Sequence, residues 1–193
     1  MKPIRKAVFP VAGLGTRILP ATKSMPKEML TVVDKPLIQY AVDEARAAGI
    51  ETFIFVTGRG KDSIEDHFDI SYEMSDTLEK RGKKAELEIV GRTVPPAGEA
   101  VFVRQQRPLG LGHAVLCARD IIGDEPFAVL LPDVIVAGKG GSCLKQMVDA
   151  YNDVGGNIIA VDEVPQERVN QYGVIDPVTA GDQGPLVKMK GMV

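Results

Sequence analysis

The stretch KAVFPVAGLGTRILPATKSMPKEML occupies residues 6–30 and decides how the rest of the chain is interpreted. It begins with a short apolar run, Lys6–Val11, which is typical of a buried strand. A turn with Gly13 and Gly15 follows, and the long loop after it carries three cations, Arg17, Lys23 and Lys27. Backbone N–H groups and fixed cations at the end of a strand are suited to a polyphosphate ligand.

The residues that follow predict a βαβ unit. Pro36 stands where a helix would begin, apolar residues recur at helical spacing as far as Gly49, and Thr52–Thr57 reads as a second buried strand. We therefore expect an α/β fold, a Rossmann-like three-layer α/β/α sandwich with a mixed, mostly parallel sheet, in one domain spanning residues 1–193.

Apolar periodicity and turn residues divide the remaining chain in the same way. Further buried strands are expected at 100–104, 127–131 and 157–164. Helices are expected at 61–68, 71–90, 110–122 and 142–152, the second of them as one solvent-facing helix. After residue 169 the pattern predicts short antiparallel strands at 172–176, 181–185 and 186–193.

Composition narrows the class of protein. The chain has 193 residues, 45% of them hydrophobic, and a mean hydropathy of +0.02, with no run near the ~18 apolar residues that span a bilayer. No signal peptide is evident, and Cys117 and Cys143 lack metal-ligand spacing. These features predict a cytoplasmic protein with reduced thiols that does not bind membranes.

The charge distribution points to one anionic ligand. The net charge of −3 argues against a general nucleic-acid surface. Residues 1–35 nevertheless carry a charge of +5, so the remaining residues sum to −8. Positive charge collected around a glycine loop in an acidic protein favours a small anion bound at that place.

Two common phosphate-binding loops do not fit the sequence. The dinucleotide fingerprint needs a third glycine where Ile18 stands, and its helix would have to run through Pro20. A Walker A loop would end in Gly-Lys-Ser/Thr, which is absent from this loop. An NAD-dependent oxidoreductase is therefore disfavoured.

Several motifs together resemble one family. AGLGTRILPATKSMPKEML at residues 12–30, VRQ at 103–105, GLGHAVLCA at 110–118, LLPDVIV at 130–136 and QYGV at 171–174 are similar to the nucleoside-diphosphate-sugar pyrophosphorylases, the sugar-phosphate nucleotidylyltransferases. Within the family they resemble the bacterial enzymes that use UTP and glucose 1-phosphate. The matching pieces extend from residue 7 to about residue 175.

The resemblance implies a reaction, a cofactor and partners. UTP and glucose 1-phosphate would give UDP-glucose and pyrophosphate by in-line attack on the α-phosphate, with Mg²⁺ as cofactor and a homo-oligomer, dimer or tetramer, as the assembly. The alternatives are the same chemistry with dTTP, or a nucleotide-binding chain without turnover. Because residues 186–193 look like an unfinished strand, we also expect a longer natural protein, whose next family motif would bind the sugar phosphate.

Residues of the first loop receive roles from their chemistry and from the resemblance. The N–H groups at Gly13 and Gly15 suit the nucleotide phosphates, and Ala12 and Gly13 would contact the nucleoside. Both cations suit phosphate oxygens, and the resemblance implies that, as catalytic residues, Arg17 would hold the β- and γ-phosphates and Lys27 the α-phosphate. Lys23 is a weaker candidate. The nucleotide-binding set is completed by three further residues, Leu14, Thr16 and Glu28.

The remaining candidates follow later strands. The Gln105 amide offers both a donor and an acceptor to uracil, although Gln106 is an alternative for the same contact. Gly110 and Gly112 would complete the base pocket, and His113 is interpreted as structural.

Asp133 comes after a predicted buried strand, where α/β sheets place ligand chemistry, and is assigned to Mg²⁺. Gly173, within Tyr172-Gly173-Val174, would make room for the hexose by resemblance.

Overall fold

The computed structural model of the chain describes residues 1–136, 141–178 and 186–192. The chain forms two compact units, Met1–Val148 and Asp149–Val193. The expectation of a single domain over 1–193 stays a prediction. No helix among the described residues has the length and apolar character needed to cross a bilayer.

The first unit is built on a four-stranded parallel sheet. Its strands are β1 (Lys6–Pro10), β4 (Thr52–Thr57), β5 (Ala100–Arg104) and β6 (Phe127–Val129), in the order β5-β4-β1-β6. A separate two-stranded ladder joins β2 (Thr31–Val32) to β3 (Lys35–Pro36). The expected α/β fold with a mostly parallel sheet is confirmed, because parallel strands joined by helices form the central layer.

Helices cover both faces of this sheet, except for the two helices between residues 72 and 93, which bury none of their residues. Their bounds are α1 (Leu37–Ala47), α2 (Asp62–Phe68), α3 (Tyr72–Lys80), α4 (Lys84–Thr93), α5 (Leu111–Cys117), α6 (Arg119–Ile122) and α7 (Cys143–Val154). One core cluster joins the sheet to α1, α2 and α7, and another joins it to α5 and α6. The layers therefore follow from apolar residues on alternating sides of β1 and β4.

Stacked aromatic rings fill the first of these cores. Phe55 stacks on Phe9 at 5.2 Å and on Phe68 at 4.9 Å between ring centroids. Offset stacking at such distances adds to the energy of area burial. The Phe55–Phe68 contact holds α2 against the centre of the sheet. The turn at residues 58–61, which connects β4 to α2, therefore lies at the end of β4.

Two predicted helices are each divided in two. The expected helix at 71–90 is α3 and α4, because Gly82 adopts φ +67° between them. The expected helix at 110–122 is α5 and α6, which meet at Ala118, and Gly123 at φ +64° ends the second. The glycine stop after residue 122 was correctly predicted, whereas the Gly82 break was missed.

Two predicted strands differ from the structure. The strand expected at 127–131 is shorter, and both Phe127 and Val129 are more than one-third exposed because β6 is one of the two edge strands of the described sheet. Residues 157–164 form no strand, since they pair with no described strand and Ile159 and Val161 are exposed. Apolar composition alone gave the same prediction for both segments.

The second unit contains a short antiparallel pair. Strand β7 (Ile175–Pro177) pairs with β8 (Met189–Met192), and a 3₁₀ helix spans Gln166–Gln171. These strands confirm antiparallel pairing after residue 169. The predicted strand at 181–185 lies outside the described residues.

Burial of one histidine predicts a pH dependence of stability. Desolvation lowers the pKa of His67 below its ordinary value of 6.5, and the Asp43 carboxylate opposes this more weakly. Because the pKa of His67 is lower in the folded state than in the unfolded state, folding favours the neutral imidazole. The contribution of His67 to folding stability is therefore complete above pH 6.5 and is lost as the pH falls below that value. We expect the melting temperature to fall between pH 7.5 and 5.5, and to fall less steeply in His67→Gln. Equal slopes would contradict the assignment.

Candidate active site

The carboxyl ends of the four parallel strands bring the candidate residues to one edge of the sheet. Val11 N–H donates to the Val56 carbonyl at 3.0 Å, and Gln105 N–H donates to the Thr57 carbonyl at 2.8 Å. On the other side of β1, Leu130 N–H donates to the Val8 carbonyl at 3.0 Å. The loops after β1, β4, β5 and β6 therefore start side by side, as expected for a ligand site in an open α/β sheet.

The glycine loop after β1 is held in shape by Thr22. Gly15 lies in the left-handed region at φ +67°, ψ +28°, and its carbonyl accepts a 2.7 Å hydrogen bond from Thr22 Oγ1. A Cβ atom at Gly15 would lie 3.1 Å from Thr22 Cγ2 and 3.3 Å from Lys27 Cβ. Only glycine combines this backbone conformation with this close approach.

Gly15→Ala is expected to weaken nucleotide binding through two separable effects. The left-handed backbone costs an alanine roughly 1–2 kcal/mol, and the added methyl group displaces Thr22 or Lys27. Gly60→Ala is the matched control, because Gly60 has φ +73° with no atom within 4 Å of an added Cβ. Titration calorimetry with UTP should show a higher Kd for Gly15→Ala alone. Equal losses in both variants would contradict a role for the loop contacts.

Lys27 and Asp133 are the catalytic and metal candidates that the fold brings into contact. Lys27 Nζ lies 2.6 Å from Asp133 Oδ2, although the residues are far apart in sequence. The Lys27 side chain is 21% exposed to solvent and the Asp133 side chain 39%, so the pair is open to a ligand. The ammonium group also lies beside the glycine loop, with Lys27 Cε 3.8 Å from the position of a Cβ at Gly13.

Glu28 lies behind this pair and is fully buried. Its Oε2 accepts a 2.8 Å bond from Lys61 Nζ, and the Lys61 side chain keeps 6% of its exposure. Oε1 has no hydrogen-bond partner in the described part of the chain and lies 4.0 Å from Lys27 Nζ. The ion pair ties the 3₁₀ turn Lys27–Met29 to the start of α2.

The two glutamines after β5 differ in burial. Gln105 keeps 8% of its exposure and donates from Nε2 to the Gly110 carbonyl at 3.1 Å, whereas Gln106 is exposed. Gly110, at φ +92°, stands immediately before α5, and Gly112 lies in its first turn. The fold therefore brings Gln105 together with the Gly110 loop, and the base contact itself stays a prediction.

The remaining candidates lie in more open positions. On the loop after β1, Ala12 is partly buried. Four other candidates on this loop are exposed: Leu14, Thr16, Arg17 and Lys23. Arg17 belongs to the 3₁₀ helix Thr16–Ile18 and pairs with no carboxylate among the described residues. Gly173 belongs to the second unit, where an added Cβ would lie 3.2 Å from Met192 Cε.

The structure adds two residues that the sequence did not indicate. A Cβ at Gly58 would lie 3.3 Å from the Ala12 carbonyl oxygen, so this glycine lets the loop after β4 approach the loop after β1. Its place after Thr57, like that of Gly13 after β1, was an available signal. The second, Lys61, had no such signal, because one lysine at a helix start is ordinary.

The side chains around Asp133 fit a magnesium ion that takes most of its ligands from phosphate and water. No group of three or more His, Cys, Asp or Glu in the described ranges is arranged to hold a metal. Asp133 supplies one carboxylate, which already faces the Lys27 ammonium. Mg²⁺ commonly takes one or two carboxylates and fills its remaining positions with phosphate oxygens and water, so the residues fit an ion that arrives with a triphosphate.

Comparison with known proteins agrees with this geometry. The nucleotidyl transferase family model matches residues 6–188. The chain is 54% identical to a UTP–glucose-1-phosphate uridylyltransferase of Komagataeibacter xylinus and 52% identical to one of Bacillus subtilis, in each case over 100% of this chain, and over 67% and 65% of those proteins. It therefore spans about two thirds of their length.

A solved structure described as a UTP-bound UGPase from Acinetobacter baumannii superposes with a TM-score of 0.93. The two chains are 49% identical, over 98% of this chain and 67% of that one. The sequence motifs, the parallel sheet and the family match all agree. The chain belongs to the nucleotidyl transferase family.

Proposed function

We propose that this chain carries the nucleotide-binding and transfer site of a UTP–glucose-1-phosphate uridylyltransferase. In this reaction an oxygen of the sugar phosphate attacks the α-phosphorus of UTP. The bond to the β-phosphate breaks, pyrophosphate leaves with the electron pair, and UDP-glucose remains. Support for UTP rather than dTTP comes from the named relatives at about half identity and from the UTP-bound neighbour.

The observation that carries the proposal is the Lys27–Asp133 contact beside the glycine loop. Each group neutralises the other at 2.6 Å. A bound triphosphate would compete for Lys27, and Asp133 would then be the residue available to hold a metal ion. A Mg²⁺ ion at Asp133 would neutralise charge on the phosphates. Preorganised charge of this kind is the main protein contribution to phosphoryl-group chemistry.

The other residues have supporting roles in the proposal. Exposed Arg17 is free to bind the β- and γ-phosphates, which leave together as pyrophosphate. The N–H groups at Gly13 and Gly15 bind phosphate oxygens, and Gln105 contacts the uracil. The sugar would be accommodated at Gly173, a role that rests on the family resemblance.

Competitive binding to the 193-residue chain tests this proposal. We expect UTP to bind more tightly than dTTP and Arg17→Ala to raise the Kd of UTP by tenfold or more, as expected for loss of a charged hydrogen bond. Lys23→Ala removes the weaker candidate of the same loop and should raise the Kd less than Arg17→Ala does. Tighter binding of dTTP would contradict the uridylyl assignment, and unchanged binding by Arg17→Ala would contradict its phosphate role.

A further inference from the structure

The hydrogen bonds around Gln105 fix which end of its amide is available to a base. The atom 3.1 Å from the Gly110 carbonyl must be the amide nitrogen Nε2, because a carbonyl oxygen only accepts. The same Nε2 lies 2.9 Å from His113 Nδ1. Both amide hydrogens are therefore used, one on each acceptor.

This arrangement also fixes the tautomer of His113. Since an amide nitrogen only donates, His113 Nδ1 must accept, and the ring proton of the neutral imidazole is then on Nε2. Cys117 Sγ lies 3.8 Å from Nδ1 and offers a weak S–H donor. Both groups that approach His113 Nδ1 in the described part of the chain, Gln105 Nε2 and Cys117 Sγ, can donate to it.

Gln105 Oε1 is consequently the free end of the amide, so only the acceptor half of the donor-and-acceptor contact expected from the sequence is available to a base. No described residue donates to it, while Nε2 is doubly engaged. A fixed acceptor at the carboxyl edge of the sheet suits a base edge that presents an N–H donor. Uracil and thymine present N3–H in their ring, whereas cytosine has a lone pair at N3, which would oppose Oε1.

We propose that His113 is a specificity-determining positioning residue that holds the Gln105 amide so that its oxygen accepts from uracil N3–H and rejects cytosine. The proposal rests on the proposed UTP function and adds the origin of its base selectivity. His113 itself need not touch the nucleotide. Sites built around one hydrogen bond can reject an analogue that lacks the matching group by large factors.

Three variants separate this role from a merely structural one. His113→Leu removes one of the two acceptors that hold Nε2, so only the Gly110 carbonyl then opposes rotation of the amide toward the orientation that presents Nε2 to cytosine. His113→Asn keeps an acceptor, because Asn Oδ1 can take the place of the histidine Nδ1. Leu116→Ala is the matched control on α5, since Leu116 is 54% exposed.

The measurement is the ratio of Kd values for CTP and UTP, obtained by calorimetry on the 193-residue chain. We expect a ratio of about 100 or more in the unaltered chain, a fall of roughly fivefold to tenfold in His113→Leu, and recovery in His113→Asn. Leu116→Ala should keep the original ratio. A structural role alone would weaken both nucleotides equally and leave the ratio unchanged.

A second measurement does not depend on nucleotide selectivity or on the stability of variants. The ¹⁵N chemical shifts of His113 in the unaltered, ligand-free chain should show an unprotonated Nδ1 and a protonated Nε2. The opposite tautomer, or an unchanged CTP-to-UTP ratio in His113→Leu, would overturn the inference while leaving UTP binding intact. A chain that binds no UTP would overturn both this inference and the proposed function.

Discussion

Replacing Lys27 with methionine is expected to lower the rate of pyrophosphate release from UTP and glucose 1-phosphate by about 10²–10³-fold, the range found when one preorganised charge-stabilising group is removed from a site. Methionine keeps most of the apolar stem that packs near Gly15 but removes the ammonium group that faces Asp133. The charge that develops at the α-phosphate would then lack the cation that the proposal assigns to it. A coupled assay for pyrophosphate measures the rate.

Lys23→Met is the control for a general loss of positive charge from the loop. Lys23 is exposed, and it lies in a different 3₁₀ helix (Ala21–Lys23) from Lys27 (Lys27–Met29). Removing this exposed charge should therefore change the rate less than about threefold. Equal rate losses in the two variants would show that overall charge, rather than the placement of Lys27, supports turnover. An unchanged rate in Lys27→Met would remove Lys27 from the mechanism.

Lys61→Met is expected to lower the free energy of unfolding by about 3–5 kcal/mol, because it leaves the Glu28 carboxylate buried without its hydrogen-bonded partner. Glu28 is fully buried, so water cannot replace the lost bond. Urea denaturation followed by circular dichroism measures this quantity. UTP affinity should fall as well, because the Glu28–Lys61 pair anchors the turn that carries Lys27.

The double variant Glu28→Gln, Lys61→Met is expected to recover part of this stability, since a neutral amide is less costly to bury than an unpaired carboxylate. Asp76→Ala provides the surface comparison. It removes an exposed i,i+4 pair with Lys80 and should cost at most about 0.5 kcal/mol. A loss below about 1 kcal/mol in Lys61→Met would contradict the importance of the buried pair.

Local patterns were sufficient for the central layer of the fold. The strands at 52–57 and 100–104 have the bounds that their apolar runs predict, and α1 begins directly after Pro36. The strand at 52–57 is predicted well because it is central and buried on both faces, which selects continuous apolar residues. The strand at 100–104 lies at the edge of the sheet and is only partly buried, but its apolar run still marks it. Residues 157–164 show the limit, since a strand also requires a partner and sequence composition does not supply one.

The positions of candidate site residues could be predicted from the sequence where these residues directly follow a strand. Asp133 and Gln105 follow β6 and β5, so parallel pairing alone places them at the same edge of the sheet. The partners that orient site residues were not predictable. Lys61 and His113 act through contacts with Glu28 and Gln105, which depend on how α2 and α5 pack and not on a motif.

The central claim is that this chain binds UTP for attack by glucose 1-phosphate at its α-phosphorus. Phosphorus-31 NMR of the 193-residue chain with UTP, glucose 1-phosphate and Mg²⁺ tests it most directly. We predict that the UTP signals decline as signals of UDP-glucose and pyrophosphate appear together in equal amounts. Uridine monophosphate, or UDP with inorganic phosphate, formed in place of UDP-glucose would contradict the claim, as would UTP left unchanged by a chain that binds it.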